Sequence, residues 1–283
     1  MLVAELTAAL GGLARLAFEA RDGRTRLMHS ETRTPLGVMR TLYLDDALPD
    51  MAFLYLTNPT AGILSGDVES IDVRVGVGAK AHVTSQAATK VYAMPAGRAR
   101  VETRLEVHSG GMLEYLPDPI IPFKGSRFEQ ATEIVVHPGG LLVYGQVLAP
   151  GRIAMGESLE YSEFRSRLTV RTPDGVPLFH ESYTIDPAER SPLGLGVFGH
   201  RVSPAFGMLI VAQPSGWDTS MLDKLLACEA TLPFGVSALP YHAGAVVTSL
   251  GDDATEARAA LVRAWAIARK LLLNAELPRL GKY

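Results

Sequence analysis

Residues 134–145 of the chain read IVVHPGGLLVYG. Two short runs of apolar and β-branched residues flank a turn that contains one proline and two glycines. β-branched residues favour strands, and tight turns favour glycine because it adopts positive φ angles at little steric cost. The stretch therefore predicts two short β-strands joined by a tight turn.

The same pattern occurs at four places along the chain. The other copies are residues 73–83 (VRVGVGAKAHV), 105–116 (LEVHSGGMLEYL) and 168–179 (LTVRTPDGVPLF). The corresponding turn glycines, at spacings of 33, 29 and 35 residues, are Gly78, Gly111, Gly140 and Gly175. This near-regular repetition predicts stacked β-hairpins in a solenoid or an elongated sandwich. An ordinary antiparallel β protein with many hairpins is the alternative.

Helical patterns occur only near the C-terminus, in residues 218–230 and 253–273. Asp253 is a candidate N-cap for the second helix. The apolar stripe of that helix comprises Ala257, Ala260, Leu261, Ala264, Trp265, Ala268, Leu271 and Leu272. We predict a mainly β chain that forms a single domain over residues 1–283, in which a β-rich body at residues 1–215 carries the two helices.

Composition and charge exclude several classes of function. The net charge is −3 and the pI is about 6.2, which argues against nucleic-acid binding because phosphate backbones require a basic surface. The only cysteine is Cys228, so a disulfide within the chain is impossible and a reducing compartment is favoured. No apolar run is long enough to span a membrane. We expect a cytoplasmic protein with neither nucleic acid nor membrane as a partner.

Residues 84–92, TSQAATKVY, interrupt the apolar β pattern with small and polar residues. Polar groups are costly to bury unless they have a partner or a function. A glycine-containing turn that ends in an acid, Gly66-Asp67, precedes this segment. We predict that the turn and the segment line a groove or a protein interface, through Gly66, Thr84, Ser85, Gln86, Thr89, Lys90 and Tyr92.

The usual motifs of metal and nucleophile chemistry are missing from the sequence. None of the seven histidines is spaced as H-x-H or H-x-x-x-H, and Cys228 has no C-x-x-C partner, so no dedicated zinc site is predicted. There is no G-x-S-x-G elbow and no phosphate-binding P-loop. His108 and His137 occupy equivalent positions in successive repeats, so stacking of the repeats would bring their rings together. Two separate, exposed turn histidines are the alternative.

Two acids remain as candidates for chemistry. Asp67 closes the glycine-containing turn, where an aspartate often bonds to nearby backbone amides. Glu181 follows the fourth repeat, and surface exposure is its ordinary role. A carboxylate pair could catalyse glycoside hydrolysis, but the sequence does not fix the distance between these two acids.

Several stretches together resemble a known family. They are GRTRLMHSETRTPLGVMRTLY at residues 23–43, NPTAGILSGD at 58–67, TSQAATKVY at 84–92, LEYLPDPIIPF at 113–123, and Arg263-Ala264-Trp265 in the C-terminal helix. In these stretches the chain resembles the urease accessory proteins UreD, also called UreH. The resemblance covers nearly the whole chain, and the octapeptide SQAATKVY is its most specific part.

The resemblance implies a non-enzymatic role and a β-rich fold with few helices. Proteins of this family form a complex with UreF and the GTPase UreG, dock on apo-urease and assist the delivery of nickel. Nickel(II) would then be a transient cargo rather than a tightly bound cofactor, and a water-filled path lined by acids would suit it. By position, Asp67 and Glu181 match the acids implied for such a path.

Two other functions stay open at this point. One is a carbohydrate-active enzyme on a stacked β scaffold, with Asp67 and Glu181 as acid and base. The other is a purely structural interaction module in which these acids only form turns. Substitution of the two acids distinguishes the three functions. A nickel path requires them for urease maturation, an enzyme requires them for turnover of a glycan, and a structural module requires them for neither.

Overall fold

A computed structural model describes residues 11–60, 62–189, 205–218, 220–229 and 234–281. The first sheet contains β1 (Gly12–Arg21), β2 (Arg24–Arg33), β5 (Val68–Val75), β8 (Ala99–Val107), β11 (Arg127–Val136), β13 (Glu163–Arg171) and β14 (Pro177–Ile185). The second sheet contains β3 (Gly37–Val38), β4 (Ala52–Thr57), β6 (Lys80–Ser85), β9 (Met112–Tyr115), β12 (Leu141–Leu148), β15 (Ala205–Ala212), β16 (Phe234–Ala238) and β17 (Gly244–Gly251), with the short strands β7 (Thr89–Val91) and β10 (Ile120–Pro122) beside it. The helices are α1 (Ser220–Glu229) and α2 (Ala254–Leu273).

The middle of each sheet is parallel, which is the signature of a solenoid. Parallel neighbours in the first sheet are, in order, β1, β5, β8, β11 and β13. Parallel neighbours in the second sheet are β4, β6, β9 and β12. Each coil therefore consists of one strand of the first sheet, a corner, and one strand of the second sheet. The predicted mainly β, solenoid-like class with C-terminal helices is confirmed.

The repeated sequence pattern forms corners more often than hairpins. In the first three copies the strands before and after the turn belong to different sheets, and each pairs with its equivalent one coil away. Only the fourth copy, β13 and β14, is an antiparallel hairpin. A tight turn with glycine suits both arrangements, so the local sequence does not distinguish them.

The paired glycines at the corners have two separate roles. Gly110 and Gly139 have φ angles of 67° and 75°, whereas the prediction that Gly111 and Gly140 adopt positive φ is wrong. A Cβ atom on Gly111 would lie 2.8 Å from the carbonyl oxygen of Gly76 in the preceding coil. The second glycine of each pair is therefore required because neighbouring coils approach closely, and the first because of its backbone conformation.

The core between the sheets consists of ladders of apolar side chains from equivalent positions. Leu16, Val73, Leu105, Ile134 and Val170 align in register across five strands and are all buried. Full burial of such a side chain stabilises the fold by roughly 1.5–3 kcal/mol. This explains why the apolar pattern recurs in each repeat.

Helix α2 covers the outer face of the second sheet. It begins where predicted, with the Asp253 carboxylate accepting hydrogen bonds from the backbone nitrogens of Thr255 and Glu256. Its apolar stripe packs against β12, β15 and β17, so all eight residues of β12 are buried. No helix in the described part of the chain is long and apolar enough to cross a membrane.

Candidate functional site

A cavity of about 390 Å³ lies between the two sheets. Its walls come from residues 85–90, from β5, β8 and β11 of the first sheet, and from β9 and β12 of the second. Gln86 and Lys90 are exposed, whereas Tyr115, Tyr144 and Gln146 are buried. The cavity thus connects an exposed polar segment with the interior of the solenoid.

Two stacked tyrosines form part of the buried wall. Tyr115 and Tyr144 occupy equivalent positions in β9 and β12, and their ring centroids are 6.0 Å apart at an interplanar angle of 3°. Burial raises the pKa of both hydroxyls, that of Tyr144 to about 12, so both stay protonated near neutral pH. They offer neutral oxygen atoms to whatever occupies the cavity.

Amide side chains continue this polar wall. Gln130 Nε2 donates to Gln146 Oε1 over 3.0 Å and to Ser166 Oγ over 2.9 Å. The Tyr144 hydroxyl donates to the same Gln146 oxygen over 3.1 Å. These bonds fix the orientation of the side chains, since a buried polar group without a partner is costly.

Glu69 is the buried acid of the cavity. Its side chain accepts a hydrogen bond from Asn58 Nδ2 over 2.9 Å, and the residue is 4% exposed. Burial, and then the negative charge of Asp67, raise its pKa to about 7. A carboxyl group with this pKa exchanges a proton for a cation near neutral pH. The perturbed acid in a cavity marks a candidate functional site.

The sequence prediction did not include Glu69, although a signal was present. In β5 the side chains of Glu69, Ile71, Val73 and Val75 all point inward because strand residues alternate between faces. An acid in the apolar phase of an alternating strand indicates a buried charge. That pattern was the available clue.

Four of the seven predicted groove residues line the cavity. They are Ser85, Gln86, Thr89 and Lys90. Ser85 Oγ also accepts a hydrogen bond from the backbone nitrogen of Asp118 over 2.8 Å, and Asp118 pairs with Arg258 of α2 over 2.6 Å. The predicted polar segment is thereby connected to the C-terminal helix.

The other three groove residues lie elsewhere. Thr84 is buried, and its hydroxyl donates to the Leu116 carbonyl oxygen over 2.6 Å. Tyr92 packs edge-on against Phe123 with 5.0 Å between ring centroids. Gly66 sits in an exposed turn with a φ angle of 84°. Of these, Gly66 is exposed, Tyr92 is half-buried and Thr84 is buried.

The structure separates the two candidate acids. Asp67 is half-buried, and its Oδ2 accepts a hydrogen bond from the Leu64 backbone nitrogen over 2.8 Å, as a turn-forming aspartate does. Glu181 lies on β14, four strand spacings from β5, which puts the two acids at least roughly 19 Å apart at about 4.8 Å per spacing. Glycosidase carboxylates lie about 5–10 Å apart. The geometry does not favour a glycosidase pair.

Glu181 is half-buried, and its environment is unusual. Its Oε2 atom is buried without a hydrogen-bond partner among the described residues, and burial raises its pKa. The negative charge of Glu181 contributes to the raised pKa of Tyr144, so Glu181 lies near that tyrosine. Neither Glu181 nor Asp67 lines the cavity itself.

Comparison with known proteins identifies the family. Residues 11–282 match the family model described as UreD urease accessory protein. The chain belongs to the UreD family of urease accessory proteins. It is 33% identical to urease accessory protein UreD of Photorhabdus laumondii over 94% of this chain and 84% of that protein. It is 36% identical to UreD 2 of Streptomyces griseus (96% and 93% covered) and 35% identical to UreD of Haloarcula marismortui (96% and 90% covered).

Proposed function

We propose that this UreD-family chain is a non-catalytic maturation factor of urease that assembles with UreF and UreG in the cytoplasm. It docks on apo-urease and assists delivery of nickel(II), which is its transient cargo. The observation that carries the proposal is the cavity between the sheets, where polar groups interrupt an otherwise apolar lining, with the buried acid Glu69 inside and residues 85–90 at its exposed side.

The lining of the cavity suits passage of a hydrated cation better than storage. Its volume accommodates on the order of ten water molecules at about 30 Å³ each. Hydroxyl, amide and carboxylate oxygens lie among the apolar side chains of its lining, and none of the described residues that line it is a histidine or a cysteine. Such oxygen ligands bind nickel more weakly than imidazole or thiolate groups do. Weak ligands allow the ion to enter and to leave.

Glu69 supplies a charge that responds to the ion. When it is ionised it attracts Ni²⁺, and a bound cation in turn favours the ionised form, so that binding releases a proton. When the ion leaves, the raised pKa of about 7 favours reprotonation. The acid therefore attracts the cargo without holding it permanently.

Asp67 and Glu181 flank this path. Asp67 precedes β5 and acts on Glu69 through its charge, and Glu181 acts on Tyr144 from β14. We place Asp67 towards the Glu69 side of the path and Glu181 towards the other side. Exchange of both for their amides (Asp67→Asn with Glu181→Gln) is expected to lower the nickel content of urease while complex formation is retained.

The test of the proposal is reconstitution. The full chain is co-expressed with UreF, UreG and apo-urease, and the complex is isolated through a tag on this chain. Co-elution of all partners, together with nickel-loaded and active urease that depends on this chain, is expected. Absence of co-elution, or equal nickel loading when the chain is omitted, contradicts the proposal. If urease maturation does not change when the acids of the cavity are substituted, the chain acts as a purely structural module.

A further inference from the structure

A second cluster of ionisable side chains lies at a corner of the solenoid. His108 and His137 follow β8 and β11 directly, at equivalent positions, because Val107 pairs with Val136. Their rings are stacked with centroids 4.3 Å apart and an interplanar angle of 28°. This confirms the expectation that stacking of the repeats brings the two rings together.

Glu106 connects the two rings. Its Oε1 atom lies 3.0 Å from His137 Nε2 and 3.5 Å from His108 Nε2. One ligand atom from each of the three residues falls within 4.8 Å of the other two. Three potential ligand atoms thus converge on one point of the surface.

We propose that Glu106, His108 and His137 form a binding site for a divalent first-row transition-metal ion such as Ni²⁺ or Zn²⁺. None of the three residues lines the cavity between the sheets. The proposed site is therefore distinct from the nickel path and does not depend on it.

The two distances from Glu106 to the histidines match those between neighbouring ligand atoms of a metal coordination sphere. With metal–ligand bonds of about 2.1 Å, neighbouring ligand atoms lie about 3.4 Å apart in a tetrahedron and about 3.0 Å apart in an octahedron. The two observed contacts are 3.0 and 3.5 Å. An ion can take the place of the shared hydrogen-bonding protons once the two stacked rings turn so that both Nε2 atoms face it. Each imidazole then carries its proton on Nδ1 and binds through Nε2.

The backbone holds the ligands in position before an ion arrives. The nitrogen of His108 donates to the Val75 carbonyl oxygen, and that of His137 donates to the Val107 carbonyl oxygen, each over 2.9 Å. These hydrogen bonds join successive coils. The separation of the two rings is therefore set by the spacing of the coils.

Arg74 donates a hydrogen bond to the other carboxylate oxygen of Glu106. Its Nε atom lies 3.0 Å from Oε2 and leaves Oε1 directed at the histidines. The Arg74 side chain is 59% exposed, so water and salt screen its repulsion of a bound cation. The three ligand side chains are 24–31% exposed, so water or a partner's side chain can complete the coordination sphere. The site is suited to an exchangeable ion.

The test uses the full chain purified through a tag that contains no histidine, titrated calorimetrically with NiCl₂ or ZnCl₂. The variants are His108→Asn with His137→Asn, and Glu106→Gln. The double variant is expected to bind one equivalent fewer than the unmodified chain, and Glu106→Gln to bind that equivalent at least about tenfold more weakly. His180→Asn is the matched control, because His180 is an exposed strand histidine of the same sheet.

Equal stoichiometry and affinity in the double variant and the unmodified chain would overturn the proposal. A second measurement needs no substitution and covers the case of a variant that does not fold. Zn²⁺ is expected to protect His108 and His137 of the unmodified chain from carbethoxylation, as read by mass spectrometry, while His180 stays reactive. Equal reactivity of these two histidines with and without Zn²⁺ would also overturn it. Neither readout depends on urease maturation.

Discussion

Arg269 Nη1 donates a hydrogen bond to Glu114 Oε1 over 2.8 Å, although 155 residues separate them in the chain. Both side chains are fully buried. The same carboxylate accepts from Trp265 Nε1 over 2.9 Å and from His82 Nδ1 over 2.8 Å, and Arg269 also pairs with Asp45. This network attaches α2 to the solenoid beneath it.

The first prediction concerns this network. Glu114→Ala leaves the buried Arg269 with Asp45 as its remaining carboxylate partner. Loss of one member of a buried ion pair costs roughly 3–5 kcal/mol. We expect the melting temperature to fall by about 6–20 °C at 2–4 °C per kcal/mol. Arg263→Met, at an exposed position of the same helix, is the control and should change it little. Equal melting temperatures for Glu114→Ala and the unmodified chain would show that the network does not stabilise the fold.

Glu114 stabilises the fold over most of the pH range. Burial alone would raise its pKa, but the contacts with His82 and the charge of Arg269 outweigh burial and hold that pKa below its usual range. A carboxyl group with a lowered pKa contributes stability that is present above the unfolded pKa. That contribution is lost as the pH falls through the folded pKa.

The second prediction concerns Glu69, whose ionisation destabilises the fold, whereas that of Glu114 stabilises it. Its pKa is raised to about 7, so ionisation favours the unfolded chain above pH 4.5, the ordinary value for this group. Glu69→Gln removes this effect and should stabilise the fold at pH 8 by on the order of 3 kcal/mol. The difference between variant and unmodified chain should vanish near pH 4.5. Denaturant unfolding at several pH values measures it, and a pH-independent difference would contradict a raised pKa.

The third prediction distinguishes the two glycines of a corner. Gly110→Ala places a side chain at positive φ, which costs about 1 kcal/mol. Gly111→Ala drives a Cβ atom against the Gly76 and His108 carbonyl oxygens, at 2.8 and 2.9 Å, and backbone atoms cannot easily move aside. Overpacking of this kind costs roughly 1–3 kcal/mol. Urea unfolding should rank Gly111→Ala as the more destabilising, and the reverse order would count against close approach of the coils.

Local sequence patterns predicted much of the fold. Inward-pointing apolar residues in each repeat, the turn glycines and the Asp253 cap are local signals, and the structure contains the strands and the helix they indicate. Which sheet a strand joins depends on its contacts with strands that are tens of residues away in the sequence. The choice between a corner and a hairpin at Gly111 was therefore not readable from the turn.

The candidate site was predicted only in part. The polar run of residues 84–92 broke the apolar pattern, and this local signal led to Ser85, Gln86, Thr89 and Lys90 at the cavity. The remaining lining residues come from strands far apart in sequence. Only the stacking of the coils brings Glu69, Tyr115 and Gln146 together.

The proposed nickel path is tested most directly by the nickel content of urease matured with Glu69→Gln. Glu133→Gln is the matched control, because Glu133 is an exposed acid on β11 of the same sheet. With equal amounts of assembled complex, we predict that nickel per urease active site falls roughly tenfold for Glu69→Gln, equivalent to about 1.4 kcal/mol, and is unchanged for the control. Full nickel loading by the Glu69→Gln complex would contradict a path through this cavity.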